Sequence, residues 1–219
     1  MTRLAIFDLD GTLLNTIADL GEACNYALQQ HRFPTHKAED YPRLVGNGVN
    51  KLLERALPEG HKDEATILSL REDFIPYYND HNRVHTHPYE GIPELLQALK
   101  AQGCLLAVAS NKYQSATETL IRHYFGPDLF DVVLGERTNV PRKPDPQIVF
   151  DILQATGCTA EQTLYIGDSD VDMQTATNAE LRKVACTWGF CSRDKLLPFN
   201  PEYIADQPSQ ILRYACSPA

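Results

Sequence analysis

A continuous apolar run, Leu4-Ala5-Ile6-Phe7, opens the chain and stops at Asp8-Leu9-Asp10-Gly11-Thr12. An apolar run without polar alternation suits a strand buried on both faces of a parallel sheet. Between residues 15 and 85 the spacing turns helical. Ile17, Leu20, Cys24, Ala27 and Leu28 mark a helix that ends at Pro34, and Thr16 with Asp19 reads as its capping start. Val49, Leu52, Leu53, Ala56 and Leu57 mark a second helix, stopped by Pro58. Ile67, Leu68, Leu70, Phe74, Ile75 and Tyr78 mark a third.

From Pro88 helices and strands alternate. The pattern predicts a helix over 92–102, a strand over Cys104–Ala109 and a helix over 115–125 opened by Ser115 and Glu118. A short strand at Asp131–Leu134 follows, then a helix N-capped by Asp145, with Pro146 as its first residue, running to Gly157. Thr163–Ile166 is the next strand. A helix carries Val171, Met173, Ala176 and Ala179, and a fifth strand covers Arg182–Cys186. Tyr203–Ala205 reads as a short sixth strand before a helix near 208–215. Such alternation predicts a parallel sheet with helices on both faces. The expected fold class is therefore α/β: a Rossmann-like parallel sheet core (1–14 and 86–219) with an inserted all-helical domain (15–85).

The 219 residues, 43% of them hydrophobic, provide ample core for such a fold. No apolar run approaches the ~20 residues needed to cross a bilayer. No basic-plus-apolar leader precedes Asp8, so a cytoplasmic protein without a membrane partner is expected. A net charge of −9 argues against nucleic-acid binding but leaves a small anionic substrate open. Cys24, Cys104, Cys158, Cys186, Cys191 and Cys216 form no CxxC pair and read as reduced thiols. His81, His85 and His87 lie beside Pro88 and read as a surface connection rather than a metal site.

Ligands of a doubly wound sheet bind beyond the carboxyl ends of its strands. Those ends carry Asp8-x-Asp10-Gly-Thr12, then Ser110-Asn111-Lys112, then Lys143-Pro144, then Gly167-Asp168-Ser-Asp-Val-Asp172. Each segment alone also has a plain structural reading. Asp8 to Thr12 is a strand with an Asp-rich turn, Ser110-Asn111 a turn, Lys143-Pro144 a surface loop, and Asp168 and Asp172 helix caps. Together they supply carboxylates, a hydroxyl, an amide and a lysine, the inventory of a Mg²⁺-assisted phosphoryl site.

The four segments, in this order, resemble the four motifs of the haloacid dehalogenase-like superfamily. The resemblance implies that the helical insertion is that family's cap domain. It implies Asp8 as nucleophile and metal ligand. Asp10 would be general acid and base, its backbone carbonyl joining the metal. Ser110 would bind the transferring phosphoryl group, with Thr12 and Asn111 nearby, while Lys143 offsets its charge. Asp168 would ligate Mg²⁺, and Asp172 would hold metal-bound water or Lys143. Dehalogenases of the superfamily lack an acid at the position of Asp10, so its presence favours phosphate esters.

Arg43-Leu44-Val45-Gly46-Asn47-Gly48 is the most informative stretch of the insertion. Its glycines could bring backbone N–H groups to an anion, and Gly-Asn-Gly is also an ordinary turn composition. The stretch resembles a loop of the phosphoglycolate phosphatase-like subfamily, as do the opening Asp-Gly-Thr-Leu-Leu-Asn-Thr and Thr187-Trp188-Gly189. Asn15 stands where that group often has Asp. The resemblance implies substrate contacts at Arg43, Gly46 and Asn47. It also implies Mg²⁺-dependent hydrolysis of a small phosphorylated metabolite through an aspartyl-phosphate, with phosphoglycolate the best match and a monomer or homodimer as the working form. Alternatives on the same core are a pyrophosphatase, a nucleotidase, a sugar-phosphate phosphatase or a β-phosphoglucomutase-like mutase. A non-catalytic regulator would not need all of Asp8, Asp10, Ser110, Lys143 and Asp168.

Overall fold

The computed structural model describes residues 2–216. The chain begins with β1 (Leu4–Phe7) and the two-residue β2 (Leu14–Asn15). It continues through α1 (Ile17–Gln30), a 3-10 segment (Ala38–Arg43), α2 (Val49–Ala56) and α3 (Glu64–His81). Next come β3 (His87–Pro88), which pairs with β2, then α4 (Ile92–Ala101), β4 (Leu105–Tyr113), α5 (Gln114–Phe125) and β5 (Val132–Glu136). The remaining elements are α6 (Gln147–Thr156), β6 (Thr163–Gly167), α7 (Asp170–Asn178), β7 (Arg182–Cys186), α8 (Arg193–Leu196), β8 (Tyr203–Ala205) and α9 (Ile211–Cys216). Cα packing divides the chain into two units: residues up to Leu14 with those from Pro88 onward, and Asn15–His87.

The first unit is built on one six-stranded sheet, ordered β5-β4-β1-β6-β7-β8, with every neighbour parallel. β1 lies between β4 and β6, with Phe7 opposite Val108 on one side and Ile166 on the other. Its four residues are fully buried, as the unbroken apolar run requires. Leu4 and Ile6 pack with Ile148, Val149 and Ile152 of α6 and Ala176 of α7. Ala5 and Phe7 face Leu95, Leu96 and Leu99 of α4 and Leu120 of α5 on the opposite side. Helices thus cover both faces, and β1 ends with its two aspartates pointing out of a dry sheet.

Three local expectations change. β4 does not stop at Ala109; it runs on to Tyr113 with a register shift after Ala109. Ser110, Asn111 and Lys112 stay in the strand because their polar groups are buried and paired, not released to solvent. α5 starts at Gln114 without a Ser115 cap. The Gln114 amide instead donates to Val133 O at 3.0 Å and accepts from Gly135 N at 2.5 Å. α6 starts one residue later than expected, after Pro146, and Asp145 Oδ1 accepts the Gln147 N–H at 2.9 Å.

The second unit packs α1, α2 and α3 through Leu20, Ala23, Cys24, Ala27 and Leu28, Leu52, Leu53 and Ala56, and Leu70, Phe74 and Tyr78. Here the capping reading of Thr16 and Asp19 fails. Thr16 makes no side-chain cap bond. The Asp19 carboxylate is buried and accepts from His85 N (2.9 Å), Thr86 N (2.9 Å) and Thr86 Oγ1 (2.7 Å). A long-range acceptor role has outweighed the local one, because those donors would otherwise be left unpaired. Asp19→Ala is expected to lower stability by about 2–4 kcal/mol, since it strands buried donors. Urea unfolding followed by circular dichroism checks this; an unchanged midpoint would contradict it.

Candidate active site

Asp8 leaves β1 with its carboxylate folded back onto the chain. Oδ1 accepts the Leu9 N–H at 2.7 Å and lies 3.0 Å from Lys143 Nζ. Lys143 also donates to Asp172 Oδ1 at 2.7 Å and to Tyr165 Oη at 3.2 Å. Its side chain is 2% exposed, so the ammonium belongs to the protein interior. The loop that carries it, after β5, is held by Asn111. The Asn111 amide donates to Lys143 O at 3.1 Å and accepts from Lys143 N at 3.0 Å.

From the opposite neighbour, β6, comes Asp168. Both its oxygens are engaged: Oδ1 accepts from Thr12 Oγ1 at 2.8 Å and Oδ2 from Phe190 N at 2.8 Å. Trp188 Nε1 donates to Thr12 O at 3.1 Å, tying the loop after β7 to the first motif. This closeness excludes larger residues. A Cβ on Gly11, whose φ is +90°, would lie 2.3 Å from Asp168 Oδ2, and one on Gly189 would lie 2.3 Å from Asp168 Cβ. Asp172 sits in the first turn of α7, and its Oδ2 accepts from Ser169 N and Oγ at 3.1 and 2.5 Å. Ligand oxygens of Asp8, Asp168 and Asp172 all lie within 4.8 Å of one another.

Asp10 has a different partner: Lys112 Nζ stands 3.0 Å from its Oδ2, with the lysine side chain 3% exposed. The Ser110 hydroxyl accepts the Lys112 N–H at 3.2 Å, and Ser110, Asn111 and Lys143 line one cleft.

The electrostatics follow from these contacts. Burial, then the neighbouring Asp172, pushes the Asp8 carboxyl well above the usual range, against the pull of Lys143. Burial and Asp172 also raise Asp168, to about 7, although the Phe190 N–H and Thr12 hydroxyl favour its anion. Burial pulls the Lys143 ammonium down, but Asp172 and Asp8 outweigh it and hold it well above its ordinary value. Asp8, Asp10, Asp168 and Asp172 against Lys112 and Lys143 leave two formal negative charges in excess. An all-oxygen, doubly negative, buried cluster fits a hard divalent cation such as Mg²⁺.

The first-unit residues singled out in the sequence therefore converge. Two of them also make bonds within the protein: Thr12 holds Asp168, and Asn111 holds the Lys143 backbone. The close carboxylate triad includes Asp172, while the carboxylate of Asp10 is taken up by Lys112. Sequence reasoning missed Lys112 as a site residue, together with Tyr165, Ser169 and the Phe190 N–H. Lys112 alone left a trace, as a charge two residues beyond Ser110.

In the second unit, Arg43 is exposed and pairs with Asp40 at 2.6 Å. Asn47 Oδ1 accepts from Arg55 Nη2 at 2.6 Å, and Arg55 Nη1 also donates to Leu44 O and Val45 O, both at 3.0 Å. Arg55, unmarked in the sequence, thus braces the loop in which Gly46 adopts φ +113°. His81 Nδ1 bonds Tyr77 O, His87 Nδ1 bonds His85 O, and His85 Nε2 lies 3.3 Å from Glu22. Cys24, Cys104, Cys158, Cys186 and Cys191 are unbonded thiols; the side chain of Cys216 lies outside the described residues. Among the described residues no helix is long and apolar enough to cross a membrane.

Fold and site together define a class: an α/β enzyme with a cation-ready acidic cluster beyond the strand ends. The haloacid dehalogenase-like hydrolase model matches residues 5–186. The chain is 31% identical over 215 residues to a phosphoglycolate phosphatase of Aliivibrio fischeri, covering 96% of this chain and 95% of that one. It is 29% identical to one of Aquifex aeolicus, with the same coverage. A predicted phosphoglycolate phosphatase from Haemophilus somnus superposes with a TM-score of 0.90 at 29% identity, covering 97% of each chain. The chain belongs to the haloacid dehalogenase-like hydrolase family.

Metal binding requires the carboxylates to be ionised. Mg²⁺ affinity is therefore expected to fall as pH drops through about 7, the value to which Asp168 is raised. Calorimetry, or the fluorescence of Trp188, the chain's single tryptophan, measures this; a pH-independent affinity would contradict it. The sign for stability is opposite without metal. A raised carboxyl pKa means that the folded apoprotein binds more protons than the unfolded chain between the ordinary carboxylate range and about 7. Asp168 thus contributes stability to the chelated protein at low pH that is lost as pH rises through that window. Mg²⁺ should raise the melting temperature more at about pH 8 than at about pH 5.5.

Proposed function

We propose that this hydrolase is a Mg²⁺-dependent phosphatase of small phosphate monoesters and that phosphoglycolate is its substrate. The observation that carries the reading is the Lys143 ammonium, buried between Asp8 at 3.0 Å and Asp172 at 2.7 Å, beside Asp168. The named relatives support the substrate.

A phosphate dianion and a carboxylate nucleophile repel each other, so the reaction needs positive charge at the point of attack. Lys143 supplies one charge. Mg²⁺, held by Asp8, Asp168 and the backbone carbonyl of Asp10 with Asp172 nearby, would supply the rest as a Lewis acid for the phosphoryl oxygens. With Asp8 Oδ1 held by Leu9 N–H and Lys143, Oδ2 is the nucleophilic oxygen. It bonds to phosphorus as the ester P–O bond breaks, and Asp10 gives its proton to the departing alkoxide. Ser110 donates to a phosphoryl oxygen. Asp10 then takes a proton from water, whose oxygen bonds to phosphorus as the acyl-phosphate P–O bond breaks. Inorganic phosphate leaves, and Asp8 is regenerated. Thr12 and Asn111 assist Ser110 beside the phosphoryl group and also fix Asp168 and Lys143. The helical unit supplies substrate discrimination, with Arg43, Gly46 and Asn47 as its candidate contacts.

Asp8→Asn is expected to lower turnover by about four orders of magnitude or more while leaving the far-ultraviolet circular dichroism unchanged. Near-normal hydrolysis by that variant would dispose of the mechanism. In a panel of phosphoglycolate, sugar phosphates, nucleotides and pyrophosphate, phosphoglycolate should give the highest kcat/KM. A higher value for another compound would replace the substrate while leaving the chemistry in place.

A further inference from the structure

Asp8 and Asp10 leave the same strand, but each meets its own lysine. Lys143 takes Asp8 and Asp172 together. Lys112 takes Asp10, 3.0 Å away, from the end of β4. The backbone around Lys112 is fixed on both sides. Its N–H donates to Ser110 Oγ at 3.2 Å, and its carbonyl accepts the Thr117 hydroxyl at 3.1 Å. The side chain is buried next to a carboxylate that is itself 21% exposed. A lysine with its stem buried and its backbone pinned has few rotamers left. It is therefore a rigid donor, unlike a mobile surface cation.

We infer that Lys112 is a positioning residue for Asp10: its ammonium fixes Asp10 Oδ2 and so aims the carboxyl group that passes a proton to the leaving oxygen. The inference rests on the phosphatase reading above. Lys112 acts through Asp10 and contacts neither phosphorus nor the leaving group. Proton delivery is sensitive to such aim, because misplacement by about 1 Å can cost a hundredfold in rate. The pairing also separates the two neighbouring carboxylates. With Asp10 held by Lys112, Lys143 is left to serve Asp8 and Asp172, so the two carboxylates have separate buried cations.

The test compares two esters that differ in their need for a proton. An alkyl phosphate such as phosphoglycolate expels a basic alkoxide and needs general acid help, whereas p-nitrophenyl phosphate expels a stable phenolate and does not. Lys112→Met should lower kcat/KM for the alkyl ester at least about tenfold more than for the aryl ester. In an Asp10→Asn background the same substitution should cost little further on the alkyl ester, because the residue through which Lys112 acts is already disabled. Equal losses on both esters, or full additivity with Asp10→Asn, would show a merely structural lysine and overturn the inference. Lys112→Met alone leaves Asp10 without its cation and can compromise folding. The Lys112→Met/Asp10→Asn protein removes both charges, and its comparison with Asp10→Asn still decides the matter. Failure is separable from that of the phosphatase reading: wild-type protein that hydrolyses neither ester overturns both, whereas wild-type activity with equal losses overturns only the role of Lys112.

Discussion

Two buried ammonium groups hold three carboxylates at the carboxyl ends of β1 and β6, with a fourth, Asp168, held beside them by the Thr12 hydroxyl and the Phe190 N–H, and the rest of the site is arranged around that constraint. Buried carboxylates repel one another and lose hydration, so without compensation they would take up protons or push the loops apart. Compensation here is incomplete by two charges, and the raised values of Asp8 and Asp168 express their burial first and then the repulsion from Asp172. A protein selected only for stability would replace such a cluster with apolar side chains. Keeping it makes sense where a divalent cation and an anionic substrate meet.

The central position of β1 follows from the same demand. A strand flanked by β4 and β6, and covered on both faces, can be apolar throughout and still end in two aspartates. Its neighbours then deliver what the aspartates need at short range. β4 brings Ser110, Asn111 and Lys112, the loop after β5 brings Lys143, and β6 brings Asp168. No side chain need reach far, so each can be held by a second contact: Asn111 on the Lys143 backbone, Thr12 and Phe190 N–H on Asp168. Close approach has its own requirement, met by Gly11 and Gly189, where even a methyl group would collide with Asp168.

Much of this was legible in the residues, and the illegible part has physical reasons. The β1 run, the alternation after Pro88 and the helical insertion all rest on periodicity, which burial imposes directly. The strand-end residues were recognisable because four motifs occur in the order in which the strands occur. What sequence spacing hides is direction. Thr12 and Asn111 are polar residues beside a phosphoryl site, and nothing in their spacing tells a hydroxyl that meets substrate from one that meets Asp168. Thr16 and Asp19 have capping-box spacing, yet Asp19 serves His85 and Thr86, sixty-odd residues away. Lys112 stands at the end of a segment whose Ser110-Asn111 also suits a turn, so no role for its side chain follows from the sequence; the strand instead continues to Tyr113 and buries it. Arg55 braces the 44–47 loop from the last turn of α2, where an arginine reads only as a helix-end residue.

The two aspartates of β1 illustrate how identical side chains acquire different chemistry. Separated by one residue, Asp8 and Asp10 differ little in sequence context. They differ in which neighbouring element reaches them. Asp8 is enclosed by the Leu9 N–H, Lys143 and the Asp168–Asp172 pair; burial and Asp172 favour its protonated form, so in the proposed mechanism Lys143 and a bound cation would hold it ionised for attack. Asp10 keeps partial exposure and pairs through Oδ2 with Lys112, and in the proposed mechanism it exchanges protons with a leaving alcohol and then with water. In that mechanism the division of labour between nucleophile and acid depends on sheet order. Moving β4 or β6 away from β1 would leave both aspartates in place and remove the difference between them.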